Sequence, residues 1–285
     1  MKAKDKIFQV KNTLNLRGNL VSLETPAVMG IVNVTPDSFY AASRQSRESE
    51  VIIAARKMLE EGALILDIGG YSSRPGAVDI SIAEERQRVT KAIAAVIREF
   101  PNAFISIDTF RSEVAKAAIE SGACMVNDIS GGSLDNEMFD TVAQLKVPYV
   151  LMHMRGTPQN MVQLTAYDSL LKDIALFFAE KVSQLKAKGV NDIILDPGFG
   201  FAKTVAQGYE ILQNLDYFKT LQLPLLVGLS RKSMIYRTLG ITPEESLNGT
   251  TAANMAALIN GASILRVHDV KEARETIQLF KSIYP

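Results

Sequence analysis

Eight short apolar runs recur along the chain: VMGIVNV, ALILDIG, FISIDT, CMVNDI, PYVLMHM, DIILDP, PLLVGLS and SILRVHD. They are continuous rather than alternating, as strands buried on both faces read. Segments of helical period separate most of them. In SEVAKAAIESGA, Val114, Ala117, Ala118 and Ser121 fall on one stripe, and Gly122 stands where a helix C-cap belongs. AEERQRVTKAIAAVIREF and SLLKDIALFFAEKVSQLKAKG repeat the arrangement, and KEARETIQLFKSIYP reads as the last helix. RQSRESE (44–50) reads instead as a solvated loop. This alternation predicts an α/β chain folded as a single parallel (β/α)8 TIM barrel. An open doubly wound sheet is the main competitor, but no G-x-G-x-x-G opens a helix after the first strand. Before the first barrel strand, TLNLRGNLVSLETP predicts a β-hairpin turning at Arg17-Gly18-Asn19, placed to cap one end of the barrel. Without a Ser/Gly linker or a break in composition, the expectation is one domain, 1–285, with 1–26 as an N-terminal hairpin extension.

Composition narrows the picture. Thirty-one basic and 31 acidic side chains cancel, so no global field draws the chain to nucleic acid or to an anionic membrane. The apolar runs all stop well short of the roughly 20 residues a membrane span needs. The basic start, MKAKDKIFQVKNT, has no apolar segment behind it, so no signal peptide is expected. A single cysteine, Cys124, allows no intrachain disulfide and fits a reducing compartment; it opens an apolar strand and reads as a buried, inert thiol. The expected setting is cytoplasmic.

Polar residues end every apolar run: Asn33 and Asp37, Asp67, Asp108, Asn127 and Asp128, His153, Asp196, Ser230-Arg231-Lys232, and Arg266, His268 and Asp269. In a barrel the carboxyl ends of all eight strands converge on one face. One Asp at a strand end is more often a cap or turn former than a catalyst. The whole set is harder to read that way, because caps do not also require Asn, Lys, Arg and His. Its chemistry suits a flat polar heterocycle plus an anion. A carboxylate accepts two parallel N–H bonds from an amidine-like edge, Asn offers a donor and an acceptor, and Lys donates. Asp196, Asn127, Asp108 and Lys232 thus match the edges of an aminopyrimidinone, with Lys232 as the counter-charge near Asp196. Asn33, Arg74, Arg266 and His268 supply donors to an anion, and Asn33 also offers an oxygen to a hydrated divalent metal. No His/Cys cluster has zinc spacing.

The motifs MGIVNVTPDSF, DIGGYSSRPGA, SIDTF, NDISGG, MHMRGTPQNM, DPGFGFAKT, GLSRKS and RVHDV, in that order from about Val28 to Val270, resemble the dihydropteroate synthase family. The resemblance implies a (β/α)8 barrel that joins 6-hydroxymethyl-7,8-dihydropterin pyrophosphate to p-aminobenzoate and releases pyrophosphate, assisted by Mg2+. It also implies a homodimer and a site that sulfonamides enter. Carried over by position, the pterin pocket falls on Asp108, Asn127, Asp196 and Lys232. The pyrophosphate and metal site falls on Asn33, Arg74, Arg266 and His268, and the p-aminobenzoate side on Ser73, Pro75, Phe201, Lys203 and Ser230. No protein nucleophile is required, and no Ser-His-Asp or Cys-His arrangement is spaced to supply one.

Two loops, 35–50 and 70–81, read as lids. Both depart from the family pattern, with Tyr71-Ser72-Ser73 standing for Glu-Ser-Thr and Tyr40-Ala41-Ala42-Ser43 for a Gly-rich continuation. His153 reads as structural, holding its loop through a ring N–H, and Met29, Met152, Met154 and Met161 as packing. Two other functions are compatible with parts of this pattern. A methyltetrahydrofolate-using methyltransferase reads a similar ring but has no need of the SRKS and RVHDV donors. A non-catalytic pterin-binding paralogue rests only on the loop departures, and predicts binding without turnover.

Overall fold

The computed structural model describes residues 10–34, 44–73 and 78–285. Strands β1 (Thr13–Leu16) and β2 (Asn19–Ser22) form the expected hairpin. Arg17 and Gly18 make its two-residue turn, both with positive φ (53° and 81°), and Asn19 already opens β2.

Eight parallel strands follow: β3 (Ala27–Asn33), β4 (Ile65–Gly69), β5 (Phe104–Asp108), β6 (Met125–Asp128), β7 (Tyr149–Met152), β8 (Ile193–Asp196), β9 (Leu226–Val227) and β10 (Ile264–Val267). Their order around the sheet is β8-β7-β6-β5-β4-β3-β10-β9. A single parallel bridge, Leu195 to Leu225, joins β8 to β9 and closes the ring. Helices α1 (Arg44–Glu60), α2 (Ile82–Glu99), α3 (Ser112–Glu120), α4 (Met138–Leu145), α5 (Leu170–Ala187) and α6 (Val205–Gln213) link successive strands. Helices α7 (Ser233–Leu239) and α8 (Leu247–Ile259) lie between β9 and β10, and α9 (Val270–Ile283) closes the chain. The barrel is therefore the expected one.

Local chemistry explains several boundaries. Ser81 accepts from the Glu84 N–H to start α2, and Thr204 with Gln207 forms a capping box on α6. On α3 the buried positions are Ser112, Val114, Ala115 and Ala118, so the stripe lies a little N-terminal to the expected one. Gly122, at φ 113°, follows its end as predicted. The charge run 44–50 is a correction: it forms the first two turns of α1, with Glu48 paired to Arg98 of α2. Arg, Gln and Glu are good helix formers, so polarity alone did not mark a loop. The first expected lid shrinks to 35–43, which lies outside the described residues.

Two apolar layers fix the barrel's orientation. Outward residues such as Val28, Leu66, Ile105, Val126 and Leu151 pack with the helices. Inward residues Met29, Ile65, Met125, Val150, Ile194, Leu226 and Ile264 cluster with Leu14, Leu16 and Leu23, so the hairpin plugs the amino end of the barrel. Cys124 joins this floor, where burial pushes its thiol up to about 11. No described helix is long and apolar enough to cross a membrane.

Candidate active site

Side chains alternate along a strand, so a residue two positions beyond a floor residue also points into the barrel, one layer nearer the carboxyl end. Asp67 follows Ile65 by two, Asn127 follows Met125, Asp196 follows Ile194, and Arg266 follows Ile264. One step further, His268 follows Arg266. Strand geometry thus gathers residues that are up to 201 positions apart, from Asp67 to His268.

Arg266 links the first group. Its Nε donates to Asp67 Oδ2 at 2.6 Å and its Nη2 to Asp108 Oδ2 at 2.6 Å. Asn127 Nδ2 donates to the same Asp67 oxygen at 2.9 Å. Burial opposes the charge on Arg266, but Asp67 and Asp108 outweigh it and hold the guanidinium pKa above its ordinary value. Burial raises the pKa of Asp108, Arg266 pulls it back, and Asp67 adds to the rise. Arg266, expected as an anion donor, is therefore committed to two carboxylates. Asp67 is fully buried, and its Oδ1 has no hydrogen-bond partner among the described residues. The sequence placed it in the ring but assigned it no part in the site. A charge inside ILDIG was the available signal.

The second group surrounds Asp196. Its Oδ1 accepts the Gly198 N–H at 2.7 Å, an Asx turn that also explains the strand ending on a carboxylate. Burial raises the Asp196 pKa, and the charge of Lys232 is the largest opposing influence. Lys232 is thus a counter-charge as expected, although its ammonium donates to the Phe199 carbonyl and lies 4.9 Å from the Phe201 ring centre. Burial brings Lys232 down to about 8, with Asp196 resisting.

Lys203, carried over to the arylamine side, points into the protein. It donates to the Phe201 carbonyl at 3.0 Å and the His153 carbonyl at 3.3 Å, and lies 3.0 Å from His153 Nδ1. Burial lowers it to about 7. Burial, with the nearby charges of Lys203 and Arg155, lowers His153 to about 2. An ammonium has only donors, so Nδ1 of neutral His153 accepts and the ring proton sits on Nε2. His153 contacts this loop through Nδ1, 3.0 Å from the Lys203 ammonium nitrogen. The loop itself turns through Gly198 (φ 71°), Gly200 (φ 78°) and Ala202 (φ 50°).

The third group lies after β9 and β10. Ser230 Oγ accepts the His268 backbone N–H at 3.2 Å and lies 3.1 Å from His268 Nδ1. The structure therefore joins Ser230, carried to the arylamine side, to the anion side. Arg231 donates twice to Asp269, at 3.0 and 2.6 Å. Asn33 and Ser73 are half-buried, at the end of β3 and beyond β4. Arg74, Pro75 and Asp37 lie outside the described residues. An apolar wall of Ile129, Met152, Met154, Met161 and Ala202, backed by Phe110, Leu134 and Phe201, completes the site. Three of the methionines expected to pack do so here, and Met29 packs in the floor.

A metal finds few ligands of its own. Among the described residues no three His, Cys, Asp or Glu side chains are grouped to hold one. The neutral oxygen of Asn33 fits a hydrated Mg2+, which commonly takes one or two protein oxygens and draws the rest from phosphate and water.

Comparison with known proteins agrees with this geometry. The family model described as pterin binding enzyme matches residues 29–268. A dihydropteroate synthase of Synechocystis sp. is 44% identical over 260 residues, covering 90% of this chain and 90% of that protein. A Yersinia pestis dihydropteroate synthase solved with a sulfonamide drug is 38% identical with a TM-score of 0.89, covering 95% of this chain and 98% of that one. A Xanthomonas albilineans dihydropteroate synthase solved with 7,8-dihydropteroate is 34% identical with a TM-score of 0.85, again covering 95% and 98%.

Proposed function

The chain belongs to the pterin binding enzyme family, and on that premise we propose that it is a dihydropteroate synthase. It condenses 6-hydroxymethyl-7,8-dihydropterin pyrophosphate with p-aminobenzoate to give 7,8-dihydropteroate and pyrophosphate. One observation carries the reading: Asp196 with Lys232, and Asp108 with Asn127 and Arg266, occupy one polar layer directly above an apolar floor. That is a bidentate acceptor, a cation and an amide at the depth where a flat ring would stack.

Asp196 accepts from the amino and ring N–H groups of the pterin, while Asn127, Asp108 and Lys232 meet its other edges. As the C–O bond to pyrophosphate breaks, the conjugated pterin spreads the developing positive charge. Donors at His268 and Arg74 stabilise the departing anion, while Arg266 holds Asp67 and Asp108. The arylamine nitrogen forms the new C–N bond and releases its proton to solvent or to the leaving group. Catalysis rests on positioning and on leaving-group stabilisation. Mg2+, held through Asn33 and the phosphate oxygens, would supply further charge neutralisation. Ser73, Pro75, Phe201 and Ser230 bound the p-aminobenzoate side, which sulfonamides would share. Lys203 serves that side from behind, by shaping the loop that bears Phe201. The same reading includes a homodimer and a cytoplasmic setting; sedimentation of the purified chain tests the first.

Pyrophosphate release is the deciding experiment. The purified chain with dihydropterin pyrophosphate and Mg2+ should release pyrophosphate only when p-aminobenzoate is added. Pterin binding without release would instead mark a non-catalytic paralogue.

A further inference from the structure

Arg111, beside β5 at the start of α3, is gripped from both ends of the loop that follows β4. Its Nη1 donates to the Ile80 carbonyl at 2.8 Å and to Glu85 Oε2 at 2.9 Å, and its Nη2 donates to Asp79 Oδ1 at 3.0 Å. Glu85 is fully buried and accepts from Thr109 Oγ1 at 2.6 Å, so the guanidinium sits on a fixed base. Tyr71, from the near end of the same loop, lays its ring 5.2 Å from the Arg111 guanidinium. That ring also meets Phe110 edge-on at 5.1 Å, and the Tyr71 hydroxyl accepts from Gln159 Nε2 at 3.0 Å. Gln159 belongs to the segment after β7.

One side chain thus joins the segments that follow β4, β5 and β7. Phe110 backs the apolar wall, as does Phe201. Ser73 stands two residues beyond Tyr71 and is half-buried. No hydrogen bond or ring contact of Tyr71 is made to Asp196, Asn127, Asp108 or Lys232; the charge of Glu85, beneath Arg111, does raise the Asp108 pKa.

We propose that Tyr71, clasped by Arg111, Phe110 and Gln159, is a positioning residue for the arylamine side of the site and leaves pterin binding largely untouched. This rests on the proposed function. A ring held by stacking and cation–π contact loses little rotamer freedom on docking, and the hydroxyl bond fixes the third segment against it.

The test measures KM for both substrates and kcat in the intact chain. Tyr71→Phe keeps the ring and removes the hydroxyl, with its bond to Gln159 and its interaction with Asp79. It should raise KM for p-aminobenzoate about 3- to 10-fold, while KM for the pterin pyrophosphate stays within about 2-fold. Tyr71→Ala should raise the former about 10- to 100-fold, with the same asymmetry. Gln159→Ala should raise the same KM by no more than Tyr71→Phe does, and the double variant should be no worse than Tyr71→Phe alone. Equal changes in both KM values, additive effects of the two substitutions, or an unchanged KM for p-aminobenzoate would each overturn the clasp. Absence of release from the unaltered protein would overturn the proposed function and the clasp together.

Discussion

Removing the Arg266 guanidinium strands two carboxylates, and the structure sets the size of the effect. Asp67 is fully buried and would keep only the Asn127 bond at 2.9 Å. Asp108 would lose its 2.6 Å partner. Breaking a buried pair by deleting one member typically costs about 3–5 kcal/mol. A stranded carboxylate can also take up a proton, which caps the penalty per group. Protonating it costs about 1.4 kcal/mol for each pH unit above its ordinary value of 3.8. The cap is therefore about 4 kcal/mol at pH 7 and about 2 kcal/mol at pH 5.5. Arg266→Ala should melt roughly 10 °C below the unaltered chain at pH 7, given about 2–4 °C per kcal/mol for chains of this general size. The sign is fixed: loss of the cation removes what pulls the Asp108 pKa down, so its pKa rises further, and the destabilisation is full at high pH and shrinks as pH falls. Adding Asp67→Asn to Arg266→Ala should restore much of the loss, because the amide carries no charge to strand. Circular dichroism melts at the two pH values decide the matter. An equal loss at both, or no recovery in the double variant, would show that the ion pairs are not what holds this layer.

Other predictions follow from the same geometry. Asp196→Asn replaces a two-bond acceptor with a mismatched amide and should weaken pterin binding about 100-fold or more by calorimetry; unchanged affinity would remove Asp196 from the pocket. Lys232 at about 8 sets an alkaline limit. Its donor charge is present below that value and lost above it, so kcat/KM for the pterin should fall as pH rises past about 8, and Lys232→Arg should move the fall upward. A limb that does not move would assign the titration elsewhere. Gly198→Ala would place a Cβ 2.1 Å from the His153 carbonyl at φ 71°, so it should both lower the melting temperature and abolish activity. Full activity in that variant would refute the turn's role.

The barrel was legible because its signals are local and repeated. Runs such as FISIDT and DIILDP carry their strand character in their own residues, and the hairpin turn lies within one residue of its predicted place. The site was legible as a set, because a parallel barrel sends every strand end to one face. What escaped depends on contacts across the fold. Nothing near Lys203 in the chain shows that its ammonium would turn inward to His153, 50 residues away. Ser230 reads equally well toward either substrate until His268 is brought beside it. Asp67 was visible as a charge in an apolar strand, but its service to Arg266 spans 199 positions. The helix at 44–50 was missed because its polar residues read as a loop although Arg, Gln and Glu are good helix formers.

The closing junction of the barrel has a mechanical meaning. Every other neighbouring pair of strands shares a ladder, whereas β8 and β9 meet through one bridge. Asp196 stands at the end of one of these strands and Lys232 shortly after the other. The span between acid and ammonium is therefore set less by main-chain pairing than by side-chain contacts such as the Lys232 bond to the Phe199 carbonyl. The arginine–carboxylate side is instead knit by continuous ladders from β10 through β3, β4 and β5 to β6.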